Sequence, residues 1–289
     1  MTSFDMNWLA LREPLDQAAR SKELAVHFVA ALNSFTEPVI MDIAGGTAAN
    51  FRILAPQIAR NQHWQLLDHD PTLIQQSFTA VIEWAHGRGW DARRISEKSL
   101  IVYAPLGQWR LSTEQIDIAT SVELLSFDRV DAVVTSAFLD LVSNDWLQRF
   151  SKRLSAVRRP FFATLTVDGR RLWSPVHPDD DWIEELFRLH QSNDKGFGKS
   201  LGIGATVSAA HALEEADFHV QVQSSDWLVA CPQYEKLLVK LLSDAIEVAI
   251  EAKPREAPRI QDWYRVRQSQ IERRELFYTV GHLDLLALP

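Results

Sequence analysis

The residues best placed to do chemistry begin with Asp42-Ile43-Ala44-Gly45-Gly46-Thr47-Ala48-Ala49-Asn50. Two adjacent glycines follow a short apolar run, Pro38-Val39-Ile40-Met41, and precede the helical spacing of Phe51, Ile53, Leu54 and Ile58. The segment therefore reads as strand, tight turn and helix. Such a turn lets backbone approach a ligand closely, and the helix beyond it offers unpaired N–H groups and the positive end of its dipole. A purely structural turn is the alternative, because glycine punctuates many strand ends. Asp42 discriminates among ligands: a Gly-x-Gly-x-x-Gly dinucleotide fingerprint opens with glycine where this chain has a carboxylate. An acidic side chain there suits an ammonium group, held directly or through water.

A second carboxylate, Asp68, closes the run His63-Trp64-Gln65-Leu66-Leu67. At a strand end it can accept hydrogen bonds from both ribose hydroxyls of a nucleoside. Capping of the helix opened by Pro71 is the alternative for Asp68, and Asp70 can take that role instead. Further along lie Asp117-Ile118 and the run Val133-Val134-Thr135-Ser136-Ala137-Phe138-Leu139-Asp140-Leu141-Val142. The latter puts Ser136 and Asp140 at the carboxyl end of a buried strand, where ligands gather in open α/β sheets.

Together these four segments resemble the class I S-adenosylmethionine-dependent methyltransferases of small-molecule type. Asp42 and Gly46 match that family's first motif, an acidic residue followed by alternating glycines, whereas Ala44 and Ala48 stand in two glycine places. The resemblance covers residues 36–170 and continues beyond them only as topology. It implies S-adenosyl-L-methionine as cofactor and S-adenosyl-L-homocysteine as product. The implied contacts are Asp42, Ala44, Gly45, Gly46, Asn50, Asp68, His69, Ser136 and Ala137, with Asp117 at the adenine amino group and Ile118 on the ring. Arg20 would reach the methionine carboxylate, although Arg12, Asp16 and Arg20 share one helix face and also fit an ordinary salt-bridge stripe. The β-carbons of Ala44 and Ala48 are expected to point away from the cofactor.

Methyl transfer is an in-line displacement, so the protein must align an acceptor, exclude water and remove a proton from a hydroxyl or amine. His177, His190 and His282 are the candidate bases, His177 foremost, each with a surface or core role as the alternative. Residues 168–199 mix aromatics, charges and glycines, which suits a lid over a polar small molecule or, equally, an exposed loop. Asp140, Arg170, Trp173, His190, Phe197 and His282 are the candidate acceptor contacts. The strand-four segment lacks the Asn/Asp-Pro-Pro-aromatic sequence that, in the superfamily it resembles, accompanies methylation of nucleic acid bases. No compact carboxylate set suggests a metal. Transfer to a small-molecule hydroxyl or amine is the expectation; a non-catalytic cofactor-binding or regulatory protein and an NAD(P)-dependent oxidoreductase are the alternatives.

The elements that must position these residues alternate. Strands are expected at 38–43, 63–68, 114–119, 129–136, 160–167, 218–223 and 275–288; residues 87–113 are less periodic, with a hairpin or irregular passage around Tyr103-Ala104-Pro105-Leu106-Gly107. Helices are expected at 8–33, 71–86, 146–154, 179–192, 203–216, 233–252 and 260–273. This alternation predicts an α/β, three-layer Rossmann-like fold: a seven-stranded, mostly parallel sheet with an antiparallel C-terminal strand. The expected organisation is one domain over 1–289. An N-terminal helical cap occupies 1–35, and the core over 36–289 carries helical insertions around 178–216 and 233–273.

Composition supports a folded, small-molecule protein. Of 289 residues, 46% are apolar and 24% charged, ample for a buried core. The 38 acidic and 30 basic side chains give a net charge of −8, which disfavours nucleic acid as partner. Cys231 is the lone cysteine and no signal-like segment opens the chain, so a cytoplasmic location is expected. No membrane span is expected. Monomer and homodimer remain equally open.

Overall fold

A computed structural model describes residues 6–119, 122–191 and 199–289. The chain opens with α1 (Met6–Ala19), α2 (Lys22–Ala31), β1 (Val39–Ile43), α3 (Ala49–Ile58), β2 (Gln62–Asp68) and α4 (Pro71–Gly87). Next come β3 (Asp91–Ser96), β4 (Ser99–Ala104), β5 (Gly107–Gln115), β6 (Ala132–Ser136), α5 (Asn144–Val157) and β7 (Phe161–Ser174). The remainder is α6 (Asp180–Gln191), α7 (Ala205–Glu214), β8 (His219–Ser224), β9 (Trp227–Ala230), α8 (Glu235–Ala252), α9 (Ala257–Glu272) and β10 (Phe277–Leu288).

The strands form one sheet in the order β3-β4-β5-β2-β1-β6-β7-β10-β8, with β9 pairing β10 beside β8. The run β5-β2-β1-β6-β7 is parallel, and β10 is antiparallel to β7, β8 and β9. The expected seven-stranded, mostly parallel sheet with its antiparallel closing strand is therefore present. It has ten strands: the hairpin expected around 103–107 is the β4–β5 turn, whereas β3 and β9 were not anticipated. β3 and β4 form a meander with β5, and every residue of β3 except Ala92 is exposed, so it carries no apolar alternation to read. β9 has only four residues.

Two further expectations are corrected. The third parallel strand lies at Gly107–Gln115, not 114–119: Trp109, Leu111 and Thr113 point inward at a period of two, and Asp117-Ile118 follow its end. The helix expected over 8–33 is two helices broken at Arg20-Ser21. The Ser21 hydroxyl caps α2 by accepting from the Leu24 N–H, while its own N–H donates to Asp284 at 2.8 Å.

Helices α2, α3 and α4 cover one face of the sheet through Phe28, Phe51 and Phe78. Helices α5 and α7 cover the other through Leu147, Phe150, Ala209 and Leu213. A third core lies where β7 and β10 extend beyond the parallel strands, with Trp173, Trp263, Tyr278 and Leu238 enclosed by α6, α8 and α9. Trp173 and Tyr278 are cross-strand partners with ring centroids 3.7 Å apart. No helix among the described residues is long and apolar enough to cross a membrane.

The carboxyl ends of three neighbouring strands hold non-glycine residues in the left-handed region: Ala44 after β1 (φ 53°), Ala137 after β6 (φ 50°) and Leu165 in β7 (φ 56°). Each costs on the order of 1 kcal/mol or more, so the surrounding structure must fix it. At Leu165 the fixing group is Asp284. This fully buried carboxylate accepts from the Leu165 N–H at 2.8 Å and from the Ser21 N–H at 2.8 Å, tying the α1–α2 break to the kink in β7.

Candidate functional site

A cavity of about 660 Å³ opens over these strand ends, within the usual size of a small-molecule site. Its strand-end wall is built from the turn Ala44-Gly45-Gly46-Thr47, Asp68-His69, Asp117-Ile118 and Ser136-Ala137, together with Asn50 and Arg20. Gly46 needs its left-handed backbone (φ 52°), and an added β-carbon there would meet nothing, so its backbone faces open space. Gly45 is required by packing instead: its β-carbon would lie 2.7 Å from the Leu66 side chain.

Asp68 stands at the end of β2, with Oδ2 accepting from the Gly46 N–H at 2.9 Å and Oδ1 from the Asp70 N–H at 3.0 Å. Each oxygen keeps a lone pair for further donors. Asp70 is the N-cap of α4, which releases Asp68 from that role; backbone donors from Thr72 hold the Asp70 carboxyl below its ordinary range. On the other side of β1, Arg20 donates to Asn50 Oδ1 at 2.7 Å, Thr164 Oγ1 at 2.7 Å and Ser136 Oγ at 3.0 Å. All three acceptors are neutral, and the Nε of Arg20 is buried without a partner among the described residues. Burial lowers its pKa, opposed by the carboxylates of Asp16, Asp284 and Asp42. Arg20 is thus a buried cation bordering the cavity with no hydrogen-bonded counterion. It is suited to a ligand carboxylate.

Asp42 is not on the cavity wall. It lies behind Asn50, whose Nδ2 donates to its Oδ1 at 2.8 Å, and its Oδ2 has no partner among the described residues. Burial pushes its pKa up to about 7, with the Asn50 hydrogen bond and Arg20 opposing. Of the two expected modes, direct or through water, the direct one is corrected, since Asp42 does not line the cavity; Asp42 orients Asn50, which accepts from Arg20. Ala48 is wholly buried in the core beneath the turn, as its place required, whereas Ala44 borders the cavity.

The opposite wall comes from α1 (Trp8, Arg12, Asp16), β7 (Val167, Arg171), α6 (Phe187, Arg188), β9 (Trp227), α8 (Leu241, Asp244) and β10 (Val280, His282). His282 is 3% exposed and its Nδ1 lies 3.0 Å from the Val280 carbonyl, which can only accept, so Nδ1 carries the proton and Nε2 a lone pair. Burial, helped by the Arg12 charge, lowers its pKa to about 4, and the ring is neutral at neutral pH. Asp140 also borders the cavity.

Other expected residues fall elsewhere. His177 sits outside the cavity at the start of α6, its N–H donating to Asp180 and its Nδ1 accepting from the Asp179 N–H, so it is a capping residue. Arg170 points away and pairs with Asp168 and Asp226, because successive strand residues face opposite ways and it is Arg171 that lines the cavity. Trp173 is buried in the third core, its Nε1 donating to Glu184 at 2.6 Å. Phe197 and the side chain of His190 lie outside the described residues. Trp8, Arg12, Asp16, Arg171, Phe187 and Trp227 were not anticipated as wall residues. For Arg171 a signal existed: reading the fifth strand to residue 174 places it on the face of Val167 and Trp173. Among the described residues no group of three or more His, Cys, Asp or Glu side chains is arranged to hold a metal.

No protein-family model and no curated protein matches the chain. Among solved structures, it is similar to an S-adenosylmethionine-dependent methyltransferase from Geobacter sulfurreducens in complex with S-adenosyl-L-homocysteine, at 11% identity and TM-score 0.45 over 100% of each chain. It is also similar to a cyclopropane-fatty-acyl-phospholipid synthase-like protein from Lactobacillus casei, at 12% identity and TM-score 0.48 over 94% of this chain and 98% of that one. A methyltransferase from Thiobacillus denitrificans, also in complex with S-adenosyl-L-homocysteine, aligns over 100% of each chain at 9% identity and TM-score 0.43. At these values the function is read from the residues of this chain alone.

Proposed function

We propose that the protein binds S-adenosylmethionine along the strand-end wall and transfers its methyl group to the hydroxyl or amine of a small molecule held against the opposite wall. One observation carries this reading: two buried charges of opposite sign, Asp68 and Arg20, border one cavity on either side of the β1 turn. Asp68 has lone pairs for ribose hydroxyls, Asp117 and Ile118 border the cavity where adenine would lie, and Arg20 suits the methionine carboxylate. Asp42 and Asn50 hold Arg20 in place from behind.

Bound there, S-adenosylmethionine would supply an electrophilic methyl carbon for the acceptor's oxygen or nitrogen, with the carbon–sulfur bonding pair left on sulfur. The acceptor's proton then needs a base. His282 offers its Nε2 lone pair on the opposite wall, and its Nδ1–H bond to Val280 fixes the ring for that use.

S-Adenosylhomocysteine at a hundred times its Kd should stabilise the protein by about 2.7 kcal/mol, read as a higher melting temperature. NAD should produce no shift, and Asp68→Ala should abolish the response. An unchanged melting curve with S-adenosylhomocysteine would overturn the proposal.

A further inference from the structure

We infer that the methyl acceptor carries a carboxylate, gripped by the guanidinium edges of Arg12 and Arg171; this rests on the methyl-transfer reading. The two arginines are built alike. Arg12 gives its Nε to Asp16 at 2.7 Å and lies over the Trp227 ring at 5.2 Å. Arg171 gives its Nε to Glu184 at 2.5 Å and lies over the Phe187 ring at 3.9 Å. Arg171 also lies 5.3 Å from the Tyr278 ring centroid. In each arginine a carboxylate and aromatic packing fix the plane, and no acceptor among the described residues reaches the Nη atoms. The Nη2 of Arg171 is buried without a partner among the described residues, and both side chains border the cavity. A fixed guanidinium with a free edge is the geometry that takes a planar anion by paired hydrogen bonds, at little entropic cost.

The two are also neighbours. Arg171 is the β-sheet partner of Val280, and Val280 of Trp227, so one rung crosses β7, β10 and β9 with Arg12 stacked at its far side. Strand spacing makes that rung about 10 Å wide, within reach of two long side chains from either side. His282 lies two residues along β10 on the same face, roughly 7 Å from the rung. A carboxylate on the rung therefore leaves the acceptor's hydroxyl or amine beside His282, in a molecule the size of a hydroxy- or amino-substituted carboxylic acid. Asp16 and Glu184 already offset one charge on each arginine, which favours a singly charged carboxylate over a phosphate dianion.

The test measures binding to the protein saturated with S-adenosylhomocysteine. Probes are hydroxybenzoic, aminobenzoic and aliphatic hydroxy acids, their methyl esters and amides, and the corresponding phosphate esters. At least one acid should bind tenfold or more tightly than its ester and amide, and S-adenosylmethionine should turn over with acids only. Arg171→Met and, separately, Arg12→Gln should each weaken acid binding tenfold or more while S-adenosylhomocysteine affinity stays within twofold. Glu184 keeps its Trp173 and Tyr278 donors in the first variant, and Arg12 is independent of that cluster, so one misfolded variant leaves the other to decide. Equal binding of acids and esters, preference for phosphate esters, or binding of no acid in the panel overturns the inference. Absence of any S-adenosylhomocysteine binding instead removes the cofactor reading, and the acid-to-ester ratio is then measured on the protein alone.

Discussion

Along the strand-end wall, Gly45, Gly46, Asp68, Asp117 and Ile118 present backbone and short side chains from the loops that follow three adjacent parallel strands. Across the cavity, Arg12, Arg171, Phe187, Trp227 and His282 present long side chains from five separate elements. The first wall is fixed by topology, since any sheet of this strand order brings those loops together. The second depends on how a broken helix, two extended strands and an added helix pack. The second wall can therefore vary while the first stays intact.

Asp284 joins the two walls, so its loss is the largest effect expected. Asp284→Ala strands the Ser21 and Leu165 N–H groups and removes a negative charge facing Arg20, which should cost about 3–5 kcal/mol. The midpoint of urea unfolding should fall accordingly, and binding at both walls should fail together. Loss of binding at one wall with the other unaffected would break the link between them.

Titration separates the walls next. His282 is held near pKa about 4 against an ordinary 6.5, so the unfolded chain takes up the proton first as pH falls. Its contribution to stability is complete above pH 6.5 and is lost as pH drops toward about 4. Asp42 behaves oppositely: raised from 3.8 to about 7, it favours the fold at low pH, a contribution lost as pH rises through about 7. At roughly 1.4 kcal/mol per pKa unit, each amounts to about 3–4 kcal/mol, and the two offset one another between pH 4 and 6.5. Urea midpoints measured across this range should show His282→Gln losing stability with rising pH and Asp42→Asn losing it with falling pH. Profiles that parallel the unmodified protein would contradict the assigned burial of both groups.

The same contrast explains what could be read from the sequence. That Gly46, Asp68 and Ser136 stand at strand ends was legible because strand, turn and helix follow one another within a few residues, and a strand's end fixes where its next side chain lies. The mistakes there were local. Asp42 stands behind Asn50 because its carboxylate belongs to the strand interior, and the third strand ends before Asp117 rather than containing it. At the second wall, His177 lies outside the cavity because Asp179-Asp180 draw it into a helix cap, and Arg170 was one residue out of phase with Arg171. Arg12 and Asp16 did form the salt bridge their spacing suggested. That Arg12 would lie over the Trp227 ring and Asp16 accept from its Nε1–H, from a strand of four residues, has no local signature.

The most direct test of the cofactor wall compares two ligands on two variants by calorimetric titration. S-Adenosylhomocysteine carries a carboxylate for Arg20 and a ribose for Asp68, whereas 5′-methylthioadenosine keeps only the nucleoside. Arg20→Met should weaken S-adenosylhomocysteine about 100-fold, equivalent to about 2.7 kcal/mol, and leave 5′-methylthioadenosine nearly unchanged. Asp68→Ala should weaken both ligands by similar factors. Equal losses of both ligands in Arg20→Met, or undiminished binding of either in Asp68→Ala, would contradict the placement of the cofactor along the strand ends.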